Sequence, residues 1–213
     1  MALLAGCGGG EGDAADTAAG LARKSSAFGA APGASAAYAL KAAAPVAGDV
    51  VANGGFESGT SGWTSSSSKS NTLIGSFPQA AANTGSQLAW LGGGDDLTDR
   101  LSRNVTVPAS GQQAKLQFWY RITSSDSEYT AYDTLSVDVY STSGSKLATL
   151  AGFSNLDRTS GWVKSPQFDL TPYKGQTIQL RFTAELDISE STSFLIDDVS
   201  VFPLTPTGIT PTN

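Results

Sequence analysis

Carboxylates and aromatic rings are the residues of this chain whose types and spacing could do chemistry. Histidine is absent and cysteine occurs once, at Cys7. Ser-His-Asp and Cys-His catalysis, a histidine general base and an HExxH zinc site are therefore excluded, and no intrachain disulfide can form. Among the acids, Asp197 and Asp198 interrupt the apolar run Phe194–Val201. Strand alternation puts Asp197 with Leu195, Val199 and Val201, an apolar face on which an ionised carboxylate is costly unless it meets a cation or hydrogen-bond donors. Asp198 then faces outward with Ser200. Two acidic loops, Asp126/Glu128/Asp133 and Glu185/Asp187/Glu190, read as a solvated rim at one end of the domain, with a second cation as the alternative. Asp95, Asp96 and Asp99 follow Gly92-Gly93-Gly94 and fit a turn.

Among the rings, Trp119 has the setting of a sugar platform. In Leu116–Ile122 the alternation assigns Leu116, Phe118, Tyr120 and Ile122 to the core and turns Trp119 outward between Gln117 and Arg121. A stacking ring flanked by hydrogen-bonding groups suits the apolar C–H face and hydroxyl edge of a pyranose. Tyr140 follows Asp138 on what the pattern places as a facing strand, so Gln117, Trp119, Arg121 and Tyr140 are the candidate ligand-binding residues. No carboxylate pair is marked for glycoside hydrolysis, and there is neither a P-loop nor a GxSxG motif. The expected function is non-catalytic.

The elements that must position these residues are strands. Period-two alternation recurs in Leu116–Ile122, Leu135–Val139 and Ile178–Phe182, with further candidates near Gln87–Leu91, Leu97–Val107, Lys146–Leu150, Trp162–Phe168 and Phe194–Phe202. They are separated by turn signals such as Ser143-Gly144-Ser145 and Lys174-Gly175. Short strands without an amphipathic helix predict an all-β fold, an antiparallel β-sandwich over residues 48–203. Before it, 26 of the first 47 residues are Ala or Gly and apolar anchors are few, so residues 8–47 are expected to be a disordered linker. The Thr/Pro-rich stretch 204–213 is expected to be a terminal extension, and Pro203 is not expected in a central strand.

Composition narrows the partners. Only 15% of residues are charged, the formal net charge is −6 and the sequence pI is about 4.5. A nucleic-acid partner, which needs a basic footprint, is not expected. No apolar run reaches the roughly 20 residues of a spanning helix.

Three resemblances follow from quoted motifs. Leu4-Ala5-Gly6-Cys7 resembles the bacterial lipobox, which implies lipidation of Cys7, a truncated signal over residues 1–7 and membrane attachment only through that anchor. Asn53-Gly54-Gly55-Phe56-Glu57 with Gly62-Trp63, and the closing Phe194-Leu195-Ile196-Asp197-Asp198-Val199-Ser200-Val201, resemble the two ends of jelly-roll carbohydrate-binding modules of families 4 and 9, which have a galactose-binding-like fold. The middle of the domain resembles accessory jelly-roll domains of secreted bacterial peptidases: Tyr132-Asp133-Thr134-Leu135, Ser160-Gly161-Trp162, Phe168-Asp169-Leu170, Tyr173-Lys174-Gly175-Gln176 and Leu180-Arg181-Phe182.

The module resemblance implies a structural Ca²⁺ between the first and last strands, held by the Gly55 carbonyl, the Glu57 carboxylate and one acid of Asp197-Asp198. Such a set suits an ion that takes six to eight hard oxygens. It also implies core positions for Trp63 and Trp162. The two expected functions are glycan binding by a secreted or cell-surface protein and, alternatively, an adhesive or spacer role toward protein.

Overall fold

The computed structural model describes residues 41, 44–126 and 129–205. Cys7, Glu128, most of the 8–47 segment and residues 206–213 lie outside the described residues. Among the described residues eleven strands form two antiparallel sheets: β1 Thr64–Ser67, β2 Ile74–Gly75, β3 Leu88–Gly92, β4 Leu97–Thr106, β5 Gln113–Ser124, β6 Thr134–Ser141, β7 Lys146–Ser154, β8 Val163–Lys164, β9 Phe168–Asp169, β10 Thr177–Leu186 and β11 Thr192–Leu204. One sheet has the order β1-β4-β10-β6-β7 and the other β2-β3-β11-β5-β8, with β9 also paired to β5. This is the all-β antiparallel sandwich that the alternation predicted.

The inner faces supply the core. Leu101 and Val105 of β4, Leu180 and Phe182 of β10, and Val137 and Val139 of β6 meet Leu116, Phe118 and Ile122 of β5 and Phe194, Ile196 and Val201 of β11. Phe118 sits at the centre, edge-on to Phe182 at 5.3 Å and stacked on Phe168 at 5.8 Å. Trp63 is buried against Phe56 at 5.1 Å, in the core position expected of it. Trp162 belongs instead to a small second cluster on the outside of the other sheet, with Ala80, Leu88, Trp90 and Leu195, and donates to the Ala81 carbonyl.

Four local differences from the sequence reading have physical causes. The segment read as one strand over Trp162–Phe168 is two short strands, with Ser165-Pro166 between them. β11 runs through Pro203 to Leu204. Val201 gives its N–H to Asp49 and its carbonyl to Val50, away from β5, and Pro203 turns its nitrogen the same way, where no ladder bond is lost. The acidic rim is not all solvated: Asp133 is fully buried and Asp126 nearly so. Asp133 accepts from the Asp187 amide, and burial raises its pKa. Asp99 is also fully buried, accepting from the Gly92 amide.

Candidate functional site

The site begins with the turn Asn53–Glu57. Asn53 takes a left-handed backbone (φ 59°), which Asn tolerates. Its amide holds the turn closed, donating to the Gly59 and Ser61 carbonyls and accepting from the Ser58 N–H. The Trp63 indole adds a bond to the Asn53 carbonyl at 2.9 Å. Next in the chain, the Gly54 carbonyl accepts from the Val199 N–H of β11 at 3.0 Å. A Cβ on Gly54 would stand 1.9 Å from the Val199 carbonyl oxygen, so only glycine permits this approach. In this way the first turn docks on the last strand.

β11 is irregular where they meet. Its register to β5 shifts between Asp197 and Ser200, and Asp198 has φ 49°. This bulge corrects the alternation reading. Asp197 does share a face with Leu195, but Val199 and Val201 return to the core, because the extra residue exchanges faces. Ser200 does lie on the outer face, opposite Gln117, but it is buried there and donates to the Gln117 carbonyl.

Asp197 is fully buried and answered by amides: Asn83 and Thr84 N–H at 2.9 and 3.1 Å, and the Asp198 N–H at 2.8 Å. Burial, and then the Asp198 charge, push its pKa up to about 8. Asp198, half-buried, accepts from the Thr84 hydroxyl at 2.6 Å and the Asn83 side-chain amide at 2.7 Å. Glu57 accepts from the Ser86 and Gln87 N–H groups at 2.9 and 2.8 Å. The loop 83–87 therefore separates the acids, with Asp197 and Asp198 on its first half and Glu57 on its second. Among the described residues no group of three or more Asp, Glu, Cys or His side chains converges on a metal position. A metal here would rest on one or two carboxylates completed by neutral oxygens. Gly55 leaves room beside them, since its absent Cβ would stand 3.2 Å from Asp198 Oδ1 and 3.7 Å from Asp197 Oδ1.

The two sites expected separately are neighbours. Asp197 lies opposite Trp119 across the β11–β5 ladder, and Ser200 lies opposite Gln117. Gly55, Glu57, Asp198, Gln117 and Trp119 all line one cleft of about 660 Å³. Lys164 of β8, paired with Trp119, also lines it, as do Ala44, Pro45 and Val46. Half-buried Trp119 shares the cleft with Lys41, whose Nζ is 5.9 Å from the ring centroid. Gln117 Nε2 is spent on the Ser165 carbonyl.

Two ligand candidates stand elsewhere. Arg121, on the same face of β5, is not part of the cleft lining and is half-buried, with its pKa lowered by desolvation. Tyr140 belongs to β6 in the opposite sheet, stacked under Arg181 at 3.8 Å. Alternation turned Trp119 outward and put Tyr140 on a facing strand, but could not show that this strand belongs to the opposite sheet. The sequence reading missed Asn83, Thr84 and Lys164. Asn83-Thr84-Gly85-Ser86 signals a turn, but nothing local reveals that its amides face acids more than a hundred residues away.

Comparison with known proteins gives the class first. The fold is that of carbohydrate-binding-module-like β-sandwiches. TmCBM61, solved in complex with β-1,4-galactotriose, matches 73% of this chain and 99% of its own length, with 17% identity and a TM-score of 0.52. The enzymatically active domain of tailspike protein 4 from bacteriophage CBA120 matches 73% of this chain and 21% of its own, with 15% identity and a TM-score of 0.50. Among curated proteins, the pre-pro-metalloprotease PrtV of Vibrio cholerae is 37% identical over 100 residues, 42% of this chain. The chain spans about a tenth of that relative's length. No family model matches.

Proposed function

We infer that this domain is a non-catalytic, glycan-binding β-sandwich module, and that its binding site is the Trp119 cleft. The observation that carries this reading is an outward tryptophan in a cleft of about 660 Å³ that it shares with Glu57, Asp198, Lys41, Lys164 and the small apolar residues Ala44, Pro45 and Val46. Such a cleft offers one stacking surface and many hydrogen-bonding partners, which is what a neutral saccharide needs. The sugar complex of TmCBM61 agrees with the reading but belongs to that protein. Retention by insoluble polysaccharides is the test. Trp119→Ala should lower retention by about tenfold or more, given about 1.5 kcal/mol or more for a buried stacking ring, and leave the melting temperature within a few degrees. Equal retention of wild type and variant would remove the cleft from the account.

The same reading includes Ca²⁺ beside the cleft. Asp197 and Asp198, the Gly55 carbonyl and the Thr84 hydroxyl are the oxygens that would hold it, with Glu57 as a further ligand if it leaves the 86–87 amides. Its contribution would be structural, balancing acids that ion-pair with no Lys or Arg among the described residues. Lipidation at Cys7 and extracytoplasmic display complete the proposal, in keeping with a relative described as a pre-pro-metalloprotease. Expressed behind a full lipoprotein signal, the protein should partition to membranes, and Cys7→Ser should release it.

The adhesive or spacer alternative has one observation in its favour: Tyr129 and Ile188 are strongly exposed on end loops.

A further inference from the structure

The outer face of the β1-β4-β10-β6-β7 sheet presents polar side chains along β4, β10 and β6, in rows fixed by the strand register. Arg100 of β4, Thr183 of β10 and Ser136 of β6 form one row. Ser102, Arg181, Asp138 and Thr149 form the next, and Asn104, Gln179, Tyr140 and Lys146 the one beyond. Seven of these residues, together with Thr134 and Glu185, line a groove of about 480 Å³, remote from the Trp119 cleft and on the opposite side of the sandwich.

The charges in this groove are unequally committed. Asp138, almost fully buried, is saturated by Ser136 Oγ, Thr149 Oγ1 and Lys146 Nζ at 3.0, 2.7 and 2.9 Å, so Lys146 is neutralised within the groove. Arg181 is aimed rather than paired: its guanidinium lies over Tyr140 at 3.8 Å and donates one N–H to Gln179 Oε1 at 2.6 Å. Arg100 is exposed, and among the described residues it has no hydrogen-bond or ion-pair partner. Glu185 stands one row beyond Arg100, opposite Thr98, and is the only other acid of the lining. A chain of net charge −6 thus places two available guanidinium groups, diagonal neighbours on adjacent strands, on one hydroxyl-rich face.

We propose that this groove is a second binding site, specific for a carboxylate-bearing polysaccharide of the uronate type. Guanidinium forks match carboxylates bidentately, and the flanking Thr and Ser hydroxyls and Asn104 and Gln179 amides suit sugar hydroxyls. Neutral sugars are disfavoured because Arg181 covers the one aromatic ring on the face. A protein partner is disfavoured because the groove lining offers no Trp, Leu, Ile or Met anchor around which an interface core could form.

The test is affinity electrophoresis of the whole protein through gels containing polygalacturonate, alginate or hyaluronate. Fully methyl-esterified polygalacturonate and poly-L-glutamate serve as comparison matrices. At least one uronate polymer should retard the protein, added salt should weaken the effect, and the ester and the polypeptide should not retard it. Arg100→Gln and Arg181→Gln should each weaken binding about tenfold, as expected for loss of a charge-assisted contact. Arg181→Lys, which keeps the charge but loses the fork, should fall between. Trp119→Ala should leave retardation unchanged, which separates this site from the cleft. The proposal is overturned if no uronate retards the protein, if the ester or poly-L-glutamate retards it equally, or if folded Arg100→Gln and Arg181→Gln variants behave as wild type.

Discussion

Asp197 receives three amide N–H groups, yet its pKa is raised to about 8 because burial and the adjacent Asp198 outweigh those donors. The sign of the resulting pH dependence is fixed. In the absence of metal the folded state holds this proton more tightly than the unfolded chain, whose Asp titrates near 3.8. The contribution of this group to stability is therefore fully present below pH 3.8 and is lost progressively as pH rises toward about 8. Urea titrations in chelator from pH 4 to 9 should show this decline superimposed on other titrations, and Asp197→Asn should remove that part of the slope. An unchanged slope in the variant would mean that Asp197 is ionised throughout. The preference for Asp197 as the buried acid was legible in the sequence, because a carboxylate in an apolar run needs a partner. The identity of the partner was not, since the donors come from residues 83 and 84.

At the scale of elements, the β11 bulge does most to shape the site. Without the extra residue, Val199 and Val201 would follow Asp197 onto the outer face and the core would lose both. With it, the strand buries Phe194, Ile196, Val199 and Val201 and presents Asp198 to the cleft. Period-two alternation located this strand and the cores of β4, β5, β6 and β10, because long strands with one apolar face carry a strong signal. Alternation cannot register a one-residue slip, nor detect β1, whose Thr-Ser-Ser-Ser sequence buries none of its side chains. For the same reason it assigned Trp119 an outward face correctly but could not show that the facing strand of Tyr140 lies in the other sheet. The docking of the first turn on the bulge should be sharply sensitive to Gly54. Gly54→Ala forces a Cβ against the Val199 carbonyl and should destabilise the fold by about 1–3 kcal/mol, the usual range for overpacking, read as a lower urea midpoint. A midpoint within error of wild type would show that the turn and β11 separate easily.

For the whole molecule, the two chain ends of the sandwich are held together by neutral contacts around an excess of acid: Gly54 to Val199, Val50 to Val201, and the 83–87 loop between Glu57 and Asp197. If Ca²⁺ occupies this junction, it binds the folded state alone. A hundredfold excess over its dissociation constant would add about 2.7 kcal/mol, which for a domain of this size raises the melting temperature by roughly 5–10 °C. Chelator should reverse the gain, and Mg²⁺ should replace Ca²⁺ poorly because it demands tighter octahedral geometry. Melting curves indifferent to Ca²⁺ and chelator would reduce the junction to hydrogen bonds.

The claim that the Trp119 cleft is a saccharide site is tested most directly by amide chemical-shift mapping with an oligosaccharide chosen from a glycan array. The account predicts that the largest shifts fall on Gln117, Trp119, Lys164 and the 83–87 loop, and that they disappear in Trp119→Ala. An array on which no glycan binds, or shifts confined to surfaces away from the cleft, would contradict it.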